Sequence, residues 1–115
     1  MLNHMVEYSA GTLDSVFHAL SDATRRGILQ QLTGVEKTVG EIAQPYPMSL
    51  AAVSKHLQVL ERAELVRFTK KGNHRFVRMR ADNLRLAQNW LAYYEQFWQA
   101  RLDALVETLE GDDEL

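Results

Sequence analysis

The 115-residue chain contains no cysteine. That excludes a disulfide framework, a thiolate metal site, a cysteine nucleophile and thiol redox sensing, and it is compatible with an intracellular location. No stretch approaches the roughly 18 continuous apolar residues of a membrane helix. The N-terminal MLNHMVEYSAGT has no basic segment followed by an apolar run, so a cytoplasmic protein away from any membrane is expected. Catalytic signatures are missing too: there is no Gly-rich phosphate loop, no G-x-S-x-G and no H-E-x-x-H. Ser54 and His56, two apart on a helix, would diverge and cannot form a nucleophile and base pair. The four histidines (His4, His18, His56, His74) are scattered without ligand spacing. Neither an enzyme, nor a cofactor, nor a metal site is expected.

What is present is an uneven charge. The net charge of −2 hides eight cations against two acids between Ser49 and Arg80, and six acids with no cation from Asp103 to Leu115. Such a chain has one face able to neutralise phosphates and a far end that repels them. Without other support, these runs fit ordinary solvated faces equally well.

Length and 46% hydrophobic content fit one soluble domain over residues 1–115. Residues 1–11 read as a tail, 12–80 as a core and 82–110 as a long terminal helix. Thr12 would cap a helix to Leu20 with Leu13, Val16, Phe17 and Leu20 in its apolar stripe. Ser21 or Asp22 would cap a second helix to about Thr33, ended by Gly34. Arg25 and Arg26 in its first turn oppose the helix dipole, which points to another job or to an acidic partner such as Asp22. Thr38 and Glu41 form a T-x-x-E capping box for a short helix through Val39, Ile42 and Ala43, stopped by Pro45 and Pro47.

Met48 to Arg80, MSLAAVSKHLQVLERAELVRFTKKGNHRFVRMR, is the most informative stretch. Ser49 can cap a helix in which Leu50, Val53, Leu57 and Leu60 recur on one face. Its other face carries Ala51, Ser54, Lys55 and Gln58, small or hydrogen-bonding groups suited to a DNA major groove. A β-hairpin follows, with Gly72 and Asn73 able to take the positive φ of its turn. The fold class is therefore mainly α with a small β-hairpin wing, a winged helix-turn-helix. From Asp82 to Glu110 apolar residues recur every three or four positions along roughly 40 Å of helix. A stripe this long exceeds what one small domain can cover, and a second copy of the chain is the simplest partner.

These residues resemble the ArsR-type winged-helix repressors of bacteria. ALSDATRRGILQQL (Ala19 to Leu32), TVGEIA (Thr38 to Ala43) and SLAAVSKHLQVLERAELV (Ser49 to Val66) stand in family order with family-like spacing. The resemblance implies a homodimeric transcriptional repressor on a partly palindromic DNA operator, released by a small-molecule or protein inducer or by none. It implies a base-reading helix over Ser49 to Arg62 and a wing over Phe68 to Met79, with Lys70, Lys71, His74 and Arg75 reaching phosphates. His56 would either touch a phosphate or lie partly buried, holding the helix. Pairing through the first and last helices would engage Leu13, Val16, Phe17, Trp90, Tyr94, Phe97, Trp98, Leu102 and Leu105. Two departures stand out: Glu64 replaces the glycine with which many relatives end the reading helix, and the residues of the metal-sensing branches are missing. The aromatic stripe could alternatively form a ligand pocket, although aromatics more often build cores and interfaces. A rival from another class is a winged-helix protein-interaction module, against which the small, polar, cationic reading face argues.

Overall fold

The computed structural model describes the backbone of residues 2–113 and the side chains of residues 11–111. Five helices and three strands follow in the order α1 (Leu2–Leu20), α2 (Ala23–Gln31), β1 (Lys37–Thr38), α3 (Val39–Ala43), α4 (Leu50–Arg62), β2 (Val66–Lys71), β3 (His74–Met79) and α5 (Asp82–Asp113). The first helix corrects the expected tail. It begins at Leu2 and runs through Gly11 and Thr12, so Thr12 is an interior residue and not a cap. A single glycine costs a helix only about 1 kcal/mol, and no proline precedes Pro45 to break it.

The caps of α2, α3 and α4 form as their sequences dictate. Asp22, extended at φ −112°, accepts the Arg25 N–H at 3.0 Å. Thr38 Oγ1 accepts the Glu41 N–H at 3.2 Å while Glu41 Oε1 accepts the Thr38 N–H at 3.0 Å, closing the capping box. The Thr38 N–H, and after it the Thr38 hydroxyl, which also donates to Glu41 Oε1 at 3.0 Å, hold the Glu41 carboxyl below its ordinary range. Ser49 Oγ accepts the Ala52 N–H at 3.1 Å and fixes where α4 begins.

The sheet is larger than the expected hairpin. Strand order is β1-β3-β2, with Lys37 opposite Val77 and Thr38 opposite Phe76. A two-residue strand carries no periodic signal, which is why the sequence concealed β1. The hairpin turn also differs in detail: Gly72 has φ +62°, whereas Asn73 is not among the residues with positive φ. One positive φ at the first central position is the type II′ pattern.

The core is one cluster, in which Val16, Ile28, Leu32, Ile42, Val53, Leu57, Leu60, Leu65, Val66 and Val77 are essentially inaccessible. Tyr46, in the turn between α3 and α4, packs against it; its hydroxyl lies where a Cβ on Gly27 would stand, 2.5 Å away. The glycine lets the turn close onto α2.

The end of α4 is a Schellman motif on an unfavourable residue. Leu65 N–H bonds to Leu60 C=O and Glu64 N–H to Glu61 C=O, both at 2.9 Å, while Glu64 sits at φ +57°. The Asn83 side chain, from the first turn of α5, donates to the freed Ala63 carbonyl at 2.9 Å. A left-handed non-glycine residue costs about 1 kcal/mol or more. Glu64→Gly is therefore expected to stabilise the fold by about 1 kcal/mol, raising Tm by roughly 4 °C in a thermal melt. An unchanged or lower Tm would show that the Glu64 side chain stabilises what its backbone strains.

Candidate nucleic-acid interface

Helix α4 buries one side and presents the other. Val53, Leu57 and Leu60 are fully buried, and on the opposite side Ala51, Lys55 and Gln58 are exposed, with Ser54 half-exposed at the edge. Ser49 is exposed at the head of the helix with its hydroxyl oxygen engaged as the cap. Leu50 departs from the expected pattern: it lies 59% exposed although Val53 and Leu57, three and seven residues on, are at 0%. It stands one turn ahead of the core's rim, so helical spacing placed it on a face that the core does not reach.

His56 turns inward. Its Nδ1 lies 3.3 Å from Arg25 Nη1 and 3.8 Å from Asp22 Oδ2, and its side chain is only 23% exposed. This corresponds to the helix-holding alternative. Arg25 itself also donates from Nε to Ala19 C=O at 2.7 Å and from Nη2 to His18 C=O at 3.0 Å, and Arg26 donates to Leu20 C=O at 2.8 Å. The two cations that oppose the dipole of α2 thus satisfy the last carbonyls of α1, whose negative end favours them. The Asp22 carboxyl is held below its usual range, first by the Arg25 N–H and then by the nearby His56 and Arg25 charges, against the opposing effect of burial.

The register of the wing sorts its cations into two groups. Lys70 stands opposite Arg75, and Lys71 opposite His74, so the pairs lie on opposite faces of the hairpin. Lys71 is committed: it pairs with Glu36 and lies over the Phe76 ring at 5.3 Å. Arg75 stacks on Phe68 at 4.4 Å, which braces its guanidinium and leaves it exposed. Lys70 and His74 are exposed at the tip. Arg67 and Arg78, which the sequence reading did not single out, are directly opposite each other and exposed on the Lys71 face. Only strand register could have revealed that pairing.

The proposed pairing residues also divide. Val16 is wholly inside the chain's own core, so it is removed from any exposed seam; α1 packs on α5, α2 and α4 of its own chain. Leu13 and Phe17 are half-buried against the same core, Phe17 edge-to-face with Trp90 at 5.3 Å. Trp90, Tyr94, Phe97, Trp98, Leu102 and Leu105 are all between 41% and 64% exposed along α5. Among the described residues no three His, Asp or Glu side chains gather as a metal site would require, and no helix is long and apolar enough to cross a membrane. The side chain of His4 lies outside the described residues.

The geometry has known counterparts. The profile of a helix-turn-helix domain family matches residues 20–67. The transcriptional repressor SdpR of Bacillus subtilis is 35% identical over 69% of this chain and 88% of its own length. An ArsR-like transcriptional regulator from Rhodococcus sp. RHA1 superposes with a TM-score of 0.72 at 33% identity, over 88% of this chain and 93% of the other. A homodimeric winged helix-turn-helix DNA-binding domain from Mycobacterium bovis matches with a TM-score of 0.61 at 28% identity, over 75% and 82% of the two chains. Near-complete coverage of relatives with this identity, together with a capped helix that buries one side and a basic hairpin behind it, places the chain among the ArsR-type winged helix-turn-helix transcriptional regulators, which bind DNA.

Proposed function

We propose that the chain acts as a homodimeric repressor on a partly palindromic operator. In this reading α4 meets base edges with Ala51, Ser54, Lys55 and Gln58, while Lys70, His74 and Arg75 of the wing hold backbone phosphates outside it. The observation that carries the reading is the outward face of α4. Apart from Leu50 at its head it is small and polar with two exposed cations, Lys55 and Arg62, and it lies directly behind the buried Val53, Leu57 and Leu60. A helix of this kind can approach base edges closely, which a bulky apolar face would prevent. The name of SdpR and the homodimer from Mycobacterium bovis support repression and pairing.

Selection from a random-sequence duplex library should yield a two-fold site with half-sites about one helical turn apart, bound with a Kd on the order of 10⁻⁸ M or tighter at physiological salt. Lys55→Ala with Lys70→Ala should weaken binding about tenfold and make the salt slope shallower by about two. Recovery of no preferred duplex would favour the protein-interaction alternative. Unchanged affinity and slope would show that DNA is bound by another surface.

A further inference from the structure

Leu50 is the residue of α4 that neither the core nor a neighbouring side chain explains. It follows the Ser49 cap directly, at 59% exposure, in the turn of a reading helix that meets base edges first. Its neighbours along the helix, the exposed Ala51 and the half-exposed Ser54, are small. Isolated exposed leucines are common and ordinarily carry no message. The position of this one distinguishes it, because an apolar branched group at the leading edge of a major-groove helix has one good chemical counterpart on a base edge, the C5-methyl of thymine.

We infer that Leu50 is a specificity-determining residue that packs on a thymine methyl in each operator half-site. Ser54 and Gln58 on the outward face can hydrogen-bond with several bases and discriminate weakly, whereas a methyl contact separates thymine from cytosine at one position. Burying the contact removes the leucine end and the methyl from water together, and the helix head is already fixed by Ser49 Oγ, so little ordering is needed on binding.

The inference rests on the DNA-reading role of α4 and is tested separately from it. The best duplex recovered by selection is rebuilt with deoxyuridine replacing each thymine in turn, which deletes one methyl and leaves every hydrogen-bonding group in place. One position per half-site should weaken binding about fourfold, the effect of one methyl group. Leu50→Ala should bind the parent duplex about fourfold to tenfold more weakly and lose the deoxyuridine penalty there alone, while Leu50→Met should retain it. A wild-type chain indifferent to every replacement, or an L50A chain with the same penalty, would overturn the assignment while the DNA-binding role stood. Failure to recover any duplex would remove that role and this inference together. Because Leu50 is exposed and alanine is a good helix former, the L50A chain should melt as the parent does.

Discussion

Replacing Phe97 and Trp98 together by alanine is expected to raise the dimer dissociation constant at least a hundredfold and leave the chain monomeric at micromolar concentration in sedimentation equilibrium. The argument begins with length. Helix α5 spans 32 residues, about 48 Å at 1.5 Å per residue, and the radius of gyration is 19.8 Å against about 13 Å for a compact chain of this size. Most of α5 therefore projects past the core. Along the projection, ten large apolar side chains from Trp90 to Leu109 are 41–64% exposed, far more than a soluble monomer leaves to water. The rings are already arranged among themselves, Tyr93 edge-to-face with Phe97 at 5.1 Å and Trp90 tilted on Tyr94 at 4.5 Å, so a partner meets a preformed surface. Aromatic anchors at the centre of such an interface are each worth about 2 kcal/mol or more. Trp90→Ala is the instructive contrast, since it also removes the edge contact with Phe17 and should lower the stability of each chain as well. Because neither Phe97 nor Trp98 belongs to the core cluster of the described residues, the double variant should keep its helical content. A dimer constant within fivefold of the parent would show that the aromatic half of α5 is not the seam.

How much of this was legible in the sequence follows from the range of the forces involved. The caps at Asp22, Thr38 and Ser49 are bonds within three residues, and the side chain alone specifies them. The strain at Glu64 was legible only through the family resemblance, which sets a glycine where this chain has a non-glycine residue at φ +57°. Periodicity identified Val53, Leu57 and Leu60 as buried, yet it misassigned Leu50, and the pairing that the family resemblance implies misassigned Val16 in the opposite sense. A stripe says which residues share a face, but where the core ends along that face depends on neighbouring elements. Val16 belongs to the buried cluster, and Leu50 lies outside it. The β1 pairing and the opposition of Arg67 and Arg78 are wholly non-local, fixed by strand register. The outward face of α4 was recoverable because a surface with one buried side advertises the other. The commitments of individual cations within the wing were not, since Lys71 finds Glu36 across 35 residues of chain.

The second large effect is expected at Arg25, where one guanidinium joins three helices. Its backbone sits in the first turn of α2, its Nε and Nη2 close the last carbonyls of α1 at Ala19 and His18, and its Nη1 meets His56 of α4. These are charge-assisted bonds in a partly buried site, so their joint loss should cost about 2–3 kcal/mol, allowing for the solvent that would replace some of them. Arg25→Ala should lower Tm by about 10 °C. Arg25→Lys should recover little, because a single ammonium cannot span three acceptors that the planar fork reaches together. The neighbouring Asp22 supplies the pH dependence. Its native carboxyl titrates below the ordinary value of 3.8, chiefly through the Arg25 N–H, so its contribution is fully present above that value and is lost only as pH falls through the lowered one. Asp22→Ala should thus cost about 1 kcal/mol at pH 7, the worth of a helix cap, with the gap to the parent narrowing only below about pH 3.8. A gap that closed already at pH 5 would mean that the native carboxyl is not depressed. An R25A chain within 0.5 kcal/mol of the parent, on the scale of an ordinary surface substitution, would show that α1 and α4 are held by apolar packing alone. Since His56 lies on the inner edge of the reading helix, loss of the Arg25 bond should also loosen the seating of Lys55 and Gln58, and DNA affinity should fall in R25A even at temperatures where it is fully folded.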